Sequence, residues 1–182
     1  LPNTGSGLGN ICYDPTHNQL FVTNFQDGMI YRIELAGNTI VDRFDPFSTN
    51  NTPSVNNPDF VMLDERSWGI AYNTTENRLY FSRWREDKGR PFTDRKNEIW
   101  SVDLDNSGFF MPATEVLVLE VPDHIDIYNP STYQNYSNPV SDISFGSNGQ
   151  MLISERSMFR NCGDAARAVS SSTSNIQIYK VF

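Results

Sequence analysis

The chain has 182 residues, 38% of them apolar, and a net charge of −8. That is long enough for one domain with a real core, and no run of eighteen apolar residues is present to span a membrane as a helix. The acidic surface repels phosphate backbones, which argues against a nucleic-acid partner.

Leu1-Pro2-Asn3-Thr4-Gly5 matches the LPxTG pattern that sortases cut, but it stands first and runs into a strand-like segment, so it reads as a turn. No charged region followed by an apolar stretch marks a signal peptide, and Leu1 is not an initiator methionine. The expectation is a mature, truncated or excised chain.

From Gly9 onward the sequence repeats itself. Gly9–Asn24, Trp68–Arg83 and Ser141–Arg156 align without a gap. Each has an isoleucine (Ile11, Ile70, Ile143), an aromatic two residues on (Tyr13, Tyr72, Phe145) and a leucine seven further (Leu20, Leu79, Leu152). The residues between aromatic and leucine are rich in Asn, Asp, Pro and Gly, which suit tight turns, so each segment reads as a hairpin. A third strand follows in every unit, at 30–35, 99–104 and 176–181, and a fourth in two of them, at 39–44 and 115–120. The three trios, with Ile30, Ile33, Ile99, Val102 and Ile176, make the expected core. Apolar residues alternate or run briefly, and no helical period is sustained.

Four-stranded antiparallel units in series predict an all-β fold, a β-propeller. The expected blades are 9–45, 66–121 and 139–182, the last without its fourth strand, in a single propeller unit. The repeat resembles the blades of NHL-type six- or seven-bladed propellers and of propellers in large secreted bacterial surface proteins. Three blades fall short of the usual four to eight. The remaining blades are therefore expected in cis, in a longer parent, or in trans, from further copies.

The turns inside the hairpins are short, whereas 85–97 and 157–174, between second and third strands, and the links 46–67 and 122–139 are long. In a blade these long segments leave from the same end, and long loops on a rigid scaffold are where binding concentrates. Nine of the fourteen basic residues lie in the two long second-to-third segments or at their borders. Arg83, Arg85, Lys88, Arg90, Arg156 and Arg160 are the candidate binding cations, suited to carboxylates, sulfates or phosphates. Trp84, between two arginines, is a candidate platform for a sugar. The competing reading pairs these arginines with nearby Glu86, Asp87, Asp94 and Asp164 as a solvated surface.

Asp103, Asp105 and Ser107 start a D-x-D-x-S-G string that resembles a calcium loop, the one candidate cofactor site, but Glu115 falls one place beyond the expected twelfth position. A plain turn is the favoured reading and no other cofactor is expected. His17 and His124 stand apart in turn and link, without metal spacing. The resemblance to NHL-like propellers, some of which are lactonases or lyases with a channel metal, implies an alternative in which Asp64, Asp142 and Glu155 would serve. Cys12 reads as a buried small hydrophobe. A bond to Cys162 is not expected, because first and third blades are not neighbours. Asn50, Asn73 and Asn135 begin sequons. The reading as a whole is a non-catalytic extracellular or cell-surface module that binds a protein or anionic glycan, or serves assembly, with no membrane insertion.

Overall fold

In a computed structural model, which describes residues 7–25, 27–47, 66–84, 97–121, 139–156 and 176–181 (Arg156 and 176–181 as backbone only), the strands form three antiparallel sheets and no helix is present among the described residues. The first sheet has the order β1 (Leu8–Asp14), β2 (Gln19–Asn24), β3 (Ile30–Glu34), β4 (Thr39–Phe44). The second follows suit with β5 (Ile70–Asn73), β6 (Arg78–Trp84), β7 (Asn97–Asp103), β8 (Val116–Val121). The third contains β9 (Val140–Phe145), β10 (Met151–Arg156) and β11 (Ile176–Val181), with β10 central. Each is a meander, and the first strands β1, β5 and β9 lie against one another. This is a propeller-like stacking of blades, numbered 1 to 3 below.

Turn chemistry sets the first two hairpins. Asp14 Oδ1 accepts the amides of Thr16 and His17, at 2.8 and 3.2 Å, and Asn73 Oδ1 accepts those of Thr75 and Glu76, at 3.0 and 3.3 Å. Four-residue loops follow and end on Asn18 and Asn77, both at φ 52°. Asparagine tolerates that left-handed conformation better than other residues with a Cβ.

The third hairpin differs. Gly146 and Gln150 are bonded across a three-residue turn whose last residue, Gly149, has φ 78°. The loop is one residue shorter, so Phe145 faces Met151, whereas Tyr72 faces Leu79. The gapless alignment is therefore wrong by one place in the third unit: Met151, not Leu152, matches Leu79. Because side chains alternate across a strand, that slip exchanges inside for outside. Met151 is buried and Leu152 is exposed.

Two apolar clusters join the blades. Between blades 1 and 2 lie Phe21, Ile30 and Phe44 with Ile70, Tyr72, Leu79 and Phe81. Between blades 2 and 3 lie Ala71, Tyr80 and Ile99 with Val140, Ile143, Met151 and Ile153. Alternate residues of β5 and β6 thus serve opposite neighbours, as period-two strands buried on both faces must. Fully burying each large side chain contributes roughly 1.5–3 kcal/mol. The expected core holds at Ile30, Ile70, Tyr72, Leu79, Ile99, Val102 and Ile143, is half-buried at Leu20, Ile33 and Phe145, and fails at Ile11, Tyr13 and Leu152, which are exposed. The side chain of Ile176 lies outside the described residues.

Hydroxyls on the second strands tie each blade to the next. Thr23 Oγ1 accepts the amide of Asn10 at 2.8 Å and donates to Trp68 O at 3.1 Å. Ser82 Oγ accepts the amide of Gly69 at 2.8 Å and donates to Val140 O at 3.0 Å. Blades 1 and 3 were expected to lie apart, but they touch near the axis: Asn10 Nδ2 donates to Ser141 O and Asp142 Oδ1, at 3.1 and 3.2 Å.

Candidate functional site

The inner strands β1, β5 and β9 line a cleft of about 440 Å³. Ile11 and Tyr13 contribute from blade 1, Tyr72 from blade 2, and Asp142, Ser144 and Phe145 from blade 3. Asp142 Oδ1 also accepts the amide of Ile143 at 3.0 Å, so this exposed carboxylate is held in place from two sides. Aromatic edges, hydroxyls and one fixed carboxylate suit a polar, largely uncharged ligand. The cleft reaches the short turns at Thr74, Thr75 and Ser147, away from the end predicted to bind.

A second polar assembly joins blade 1 to the β7–β8 connection of blade 2. Fully buried Asp14 accepts His17 Nδ1 at 2.7 Å and Gln19 Nε2 at 2.8 Å through Oδ2. Gln19 Nε2 also donates to Gly108 O at 3.1 Å. Arg32 Nε donates to Gln19 Oε1, its Nη2 donates to Ser107 O at 3.0 Å, and its guanidinium lies 3.9 Å from the Phe109 ring centre. The His17–Asp14 pair has the look of a general-base dyad. Its surroundings argue for a structural role. Gly108, at φ 77°, sits so close that a Cβ there would lie 2.8 Å from the imidazole.

Of the predicted binding residues, the side chains of Arg83 and Trp84 are among those described. Arg83 makes an ion pair of 3.5 Å with Glu98, and its guanidinium stands 4.4 Å from the Phe47 ring centre. Glu98 accepts Trp100 Nε1 as well, at 2.8 Å. Trp84 is 5% exposed, so stacking on a sugar would require it to leave its packing. Arg85, Lys88, Arg90 and Arg160 lie outside the described residues, as does the side chain of Arg156.

The calcium candidates have other partners. Asp103 Oδ1 takes both Nε and Nη2 of Arg78 at 2.6 Å. Asp105 Oδ1 accepts the amides of Ser107 and Phe109, at 2.8 and 2.9 Å, and these bonds hold its carboxyl below its ordinary range. Ser107 offers its carbonyl to Arg32. Among the described residues no group of three or more His, Cys, Asp or Glu is placed to hold a metal. Of the imagined channel carboxylates, Asp142 lines the cleft, whereas Glu155 is buried and accepts Asn97 Nδ2 at 3.1 Å. Asp64 lies outside the described residues.

Sequence reasoning passed over Arg32 and Gln19. Their visible trace was an amide and a charge on strands that carry other polar residues as well, and their partners are 89 and 75 residues away.

Cys12 packs against the first cluster, where burial and then the charge of Asp14 push its thiol up to about 12. The thiol therefore stays protonated at pH 8, and the thiolate is the reactive species. In a Cys162→Ser variant, Cys12 is expected to resist a disulfide-exchange reagent in the folded chain and to react within seconds in denaturant. Rapid reaction of the folded variant would show that Cys12 is open to solvent.

No protein-family model and no curated protein sequence matches this chain. Among solved structures it is similar to a chain of a nidogen–laminin complex, with 13% identity and a TM-score of 0.49, covering 85% of this chain and 43% of that one. It is similar also to a Bacteroides fragilis protein provisionally assigned as a 6-phosphogluconolactonase, with 15% identity and a TM-score of 0.44, covering 84% of this chain and 36% of that one. The chain thus spans less than half the length of either. Neither likeness carries what those proteins bind or catalyse over to this chain.

Proposed function

We propose that the chain forms part of a propeller acting as a non-catalytic, extracellular recognition module that takes a protein or an anionic glycan at one end of its blades. One observation carries this reading. The described strands that border residues 48–65, 85–96, 122–138 and 157–175 alternate in direction, so the strand ends next to those residues share one side of the meanders, whereas the opposite side carries the short hairpin turns and the 104–115 connection. A rigid scaffold with its long connections gathered at one end is a common design for recognition. Arg85, Lys88, Arg90 and Arg160 belong to those segments.

The test uses heparin as a sulfated probe, with binding followed by calorimetry across a salt series. Wild type is expected to bind with an affinity that falls as salt screens the contacts. Reversing four charges together (Arg85→Glu, Lys88→Glu, Arg90→Glu, Arg160→Glu) is expected to weaken binding by roughly tenfold or more, since each lost charge-assisted contact contributes on the order of 1 kcal/mol. Unchanged affinity in that variant would remove these cations from the site. Hydrolysis of a sugar lactone by wild type with added divalent metal would favour the enzymatic alternative.

A further inference from the structure

Just before β5 the repeat is broken. Gly9, Trp68 and Ser141 stand at the same place in the three aligned segments, so the blade itself accepts a glycine or a serine there. Trp68 is an indole where the scaffold needs none, and it is only half-buried. Its ring meets Phe25, at 5.1 Å between centroids, and the Arg66 guanidinium lies 5.0 Å from the centre of the same Phe25 ring. Phe25 and Arg66 are half-buried too. The register that matches Phe21 with Tyr80 also matches Phe25 with Trp84. An aromatic ring therefore ends the second strand in both blades, packed away in blade 2 and half-open in blade 1.

The backbone beneath this group is fixed from both blades. Trp68 N donates to Ser82 Oγ at 3.2 Å, and Trp68 O accepts Thr23 Oγ1 at 3.1 Å. Phe25 N donates to Gly7 O. A Cβ on Gly9 would stand 3.0 Å from Ser67 O and 3.3 Å from Trp68 Cα, so the glycine lets β1 seat closely against this segment. Rings held in this way lose little freedom when a ligand settles on them. Asp27, the carboxylate nearest to Phe25 in sequence, accepts Asn24 Nδ2, Met29 N and Tyr31 OH, at 2.8, 2.9 and 2.6 Å.

We infer that Phe25, Arg66 and Trp68 form a binding site for an acidic sugar unit, one that carries a carboxylate or a sulfate. The C–H face of the sugar ring lies on the indole of Trp68 and the edge of Phe25, and the anionic group meets Arg66. Charge selects the anion. The guanidinium is a planar fork of five donors that matches carboxylate and sulfate, and an aromatic ring beside it shields the contact from water. Indoles and arginines in half-buried places of this kind dominate binding energies. Phe25 directly follows β2 and Trp68 directly precedes Gly69 and β5, so the site stands at the side of the meanders that borders residues 48–65 and 85–96. All three residues belong to the junction of blades 1 and 2, and the site is the same however many blades complete the ring. This inference rests on the reading of that side as glycan-binding and adds the residues that select the sugar.

The test follows a heparin oligosaccharide by calorimetry and by tryptophan fluorescence. Trp68→Ser introduces the residue that blade 3 has at this place. It is expected to keep the β-sheet circular dichroism of wild type and to weaken binding by roughly tenfold or more. Arg66→Gln is expected to weaken binding by a similar factor and to flatten its salt dependence, because one screened contact is gone. Trp68→Phe keeps a ring and is expected to bind within about threefold of wild type. It is also expected to lose most of the fluorescence change that heparin causes, because Trp84 is buried and Trp100 packs against the first cluster. A neutral glucan oligosaccharide of the same length is expected not to compete. Heparin binding that survives both Trp68→Ser and Arg66→Gln, but is lost when Arg85, Lys88, Arg90 and Arg160 are reversed, would overturn this site and leave the reading of the loop end standing. Binding lost in Trp68→Ser and unchanged by those four reversals would support this site and remove the four cations. Competition by the neutral glucan as strong as that by heparin would overturn the assignment to an acidic sugar. A wild type that does not bind heparin would overturn the glycan reading and this site together.

Discussion

Asp14→Ala is expected to lower the free energy of unfolding by about 3 kcal/mol, read as a fall in the urea midpoint at unchanged slope. The carboxylate is fully buried and serves two structures at once. Oδ1 holds the turn through the amides of Thr16 and His17, and Oδ2 holds His17 Nδ1 and Gln19 Nε2, which lead on to blade 2. Removing a charged acceptor leaves those donors without it, and hydrogen bonds to charged groups contribute roughly 1.5–3 kcal/mol each. Asp14→Asn separates the two duties. Its oxygen still caps the turn, as Asn73 does in blade 2, but its amide nitrogen cannot accept from Gln19. It is expected to cost roughly half as much as the alanine. A loss below about 1 kcal/mol for Asp14→Ala would mean that the assembly does not bind blade 1 to blade 2.

That assembly also marks where sequence reading ran out. The hairpins were legible because they are local. An isoleucine, an aromatic and a leucine at fixed spacing, around Asp or Asn and a closing Asn, specify strand, turn and strand within sixteen residues. In the third hairpin the gapless match and the turn chemistry point to different registers, and the structure follows the turn chemistry. Gly146-Ser147-Asn148-Gly149 closes with glycine where the other turns close with asparagine, and that difference carries one residue of loop length. The exposure of Ile11 and Tyr13 was not legible at all. It depends on which blade lies on which side, and equivalent positions in a repeat are chemically alike. Trp84 stands between two arginines in sequence, but it ends β6, a strand buried on both faces, and its indole is packed. Arg32 meets Ser107 only because two blades stack, and nothing local in either segment announces the other.

Stacking also determines how the blades share stability, and Phe81→Ala measures it. Phe81 is fully buried on β6, on the face toward blade 1. Its ring meets Phe44 edge-on at 6.2 Å and Phe47 at 5.8 Å between centroids. Phe44 ends β4 and Phe47 follows it, so one side chain of blade 2 supports the exit of the chain from blade 1. Truncation to alanine is expected to cost about 3–5 kcal/mol, the loss of transfer energy and the cavity together. Phe81→Leu, which fills most of that space, is expected to cost less than about 1.5 kcal/mol. A double-mutant cycle with Phe44→Ala is expected to give a coupling of roughly 0.5–1.5 kcal/mol for the ring contact. If blades 1 and 2 are one cooperative unit, the alanine variant still unfolds in a single transition with the wild-type denaturant slope. Two separated transitions would show blade 1 melting on its own. In that case the contact between blades adds to blades already stable alone.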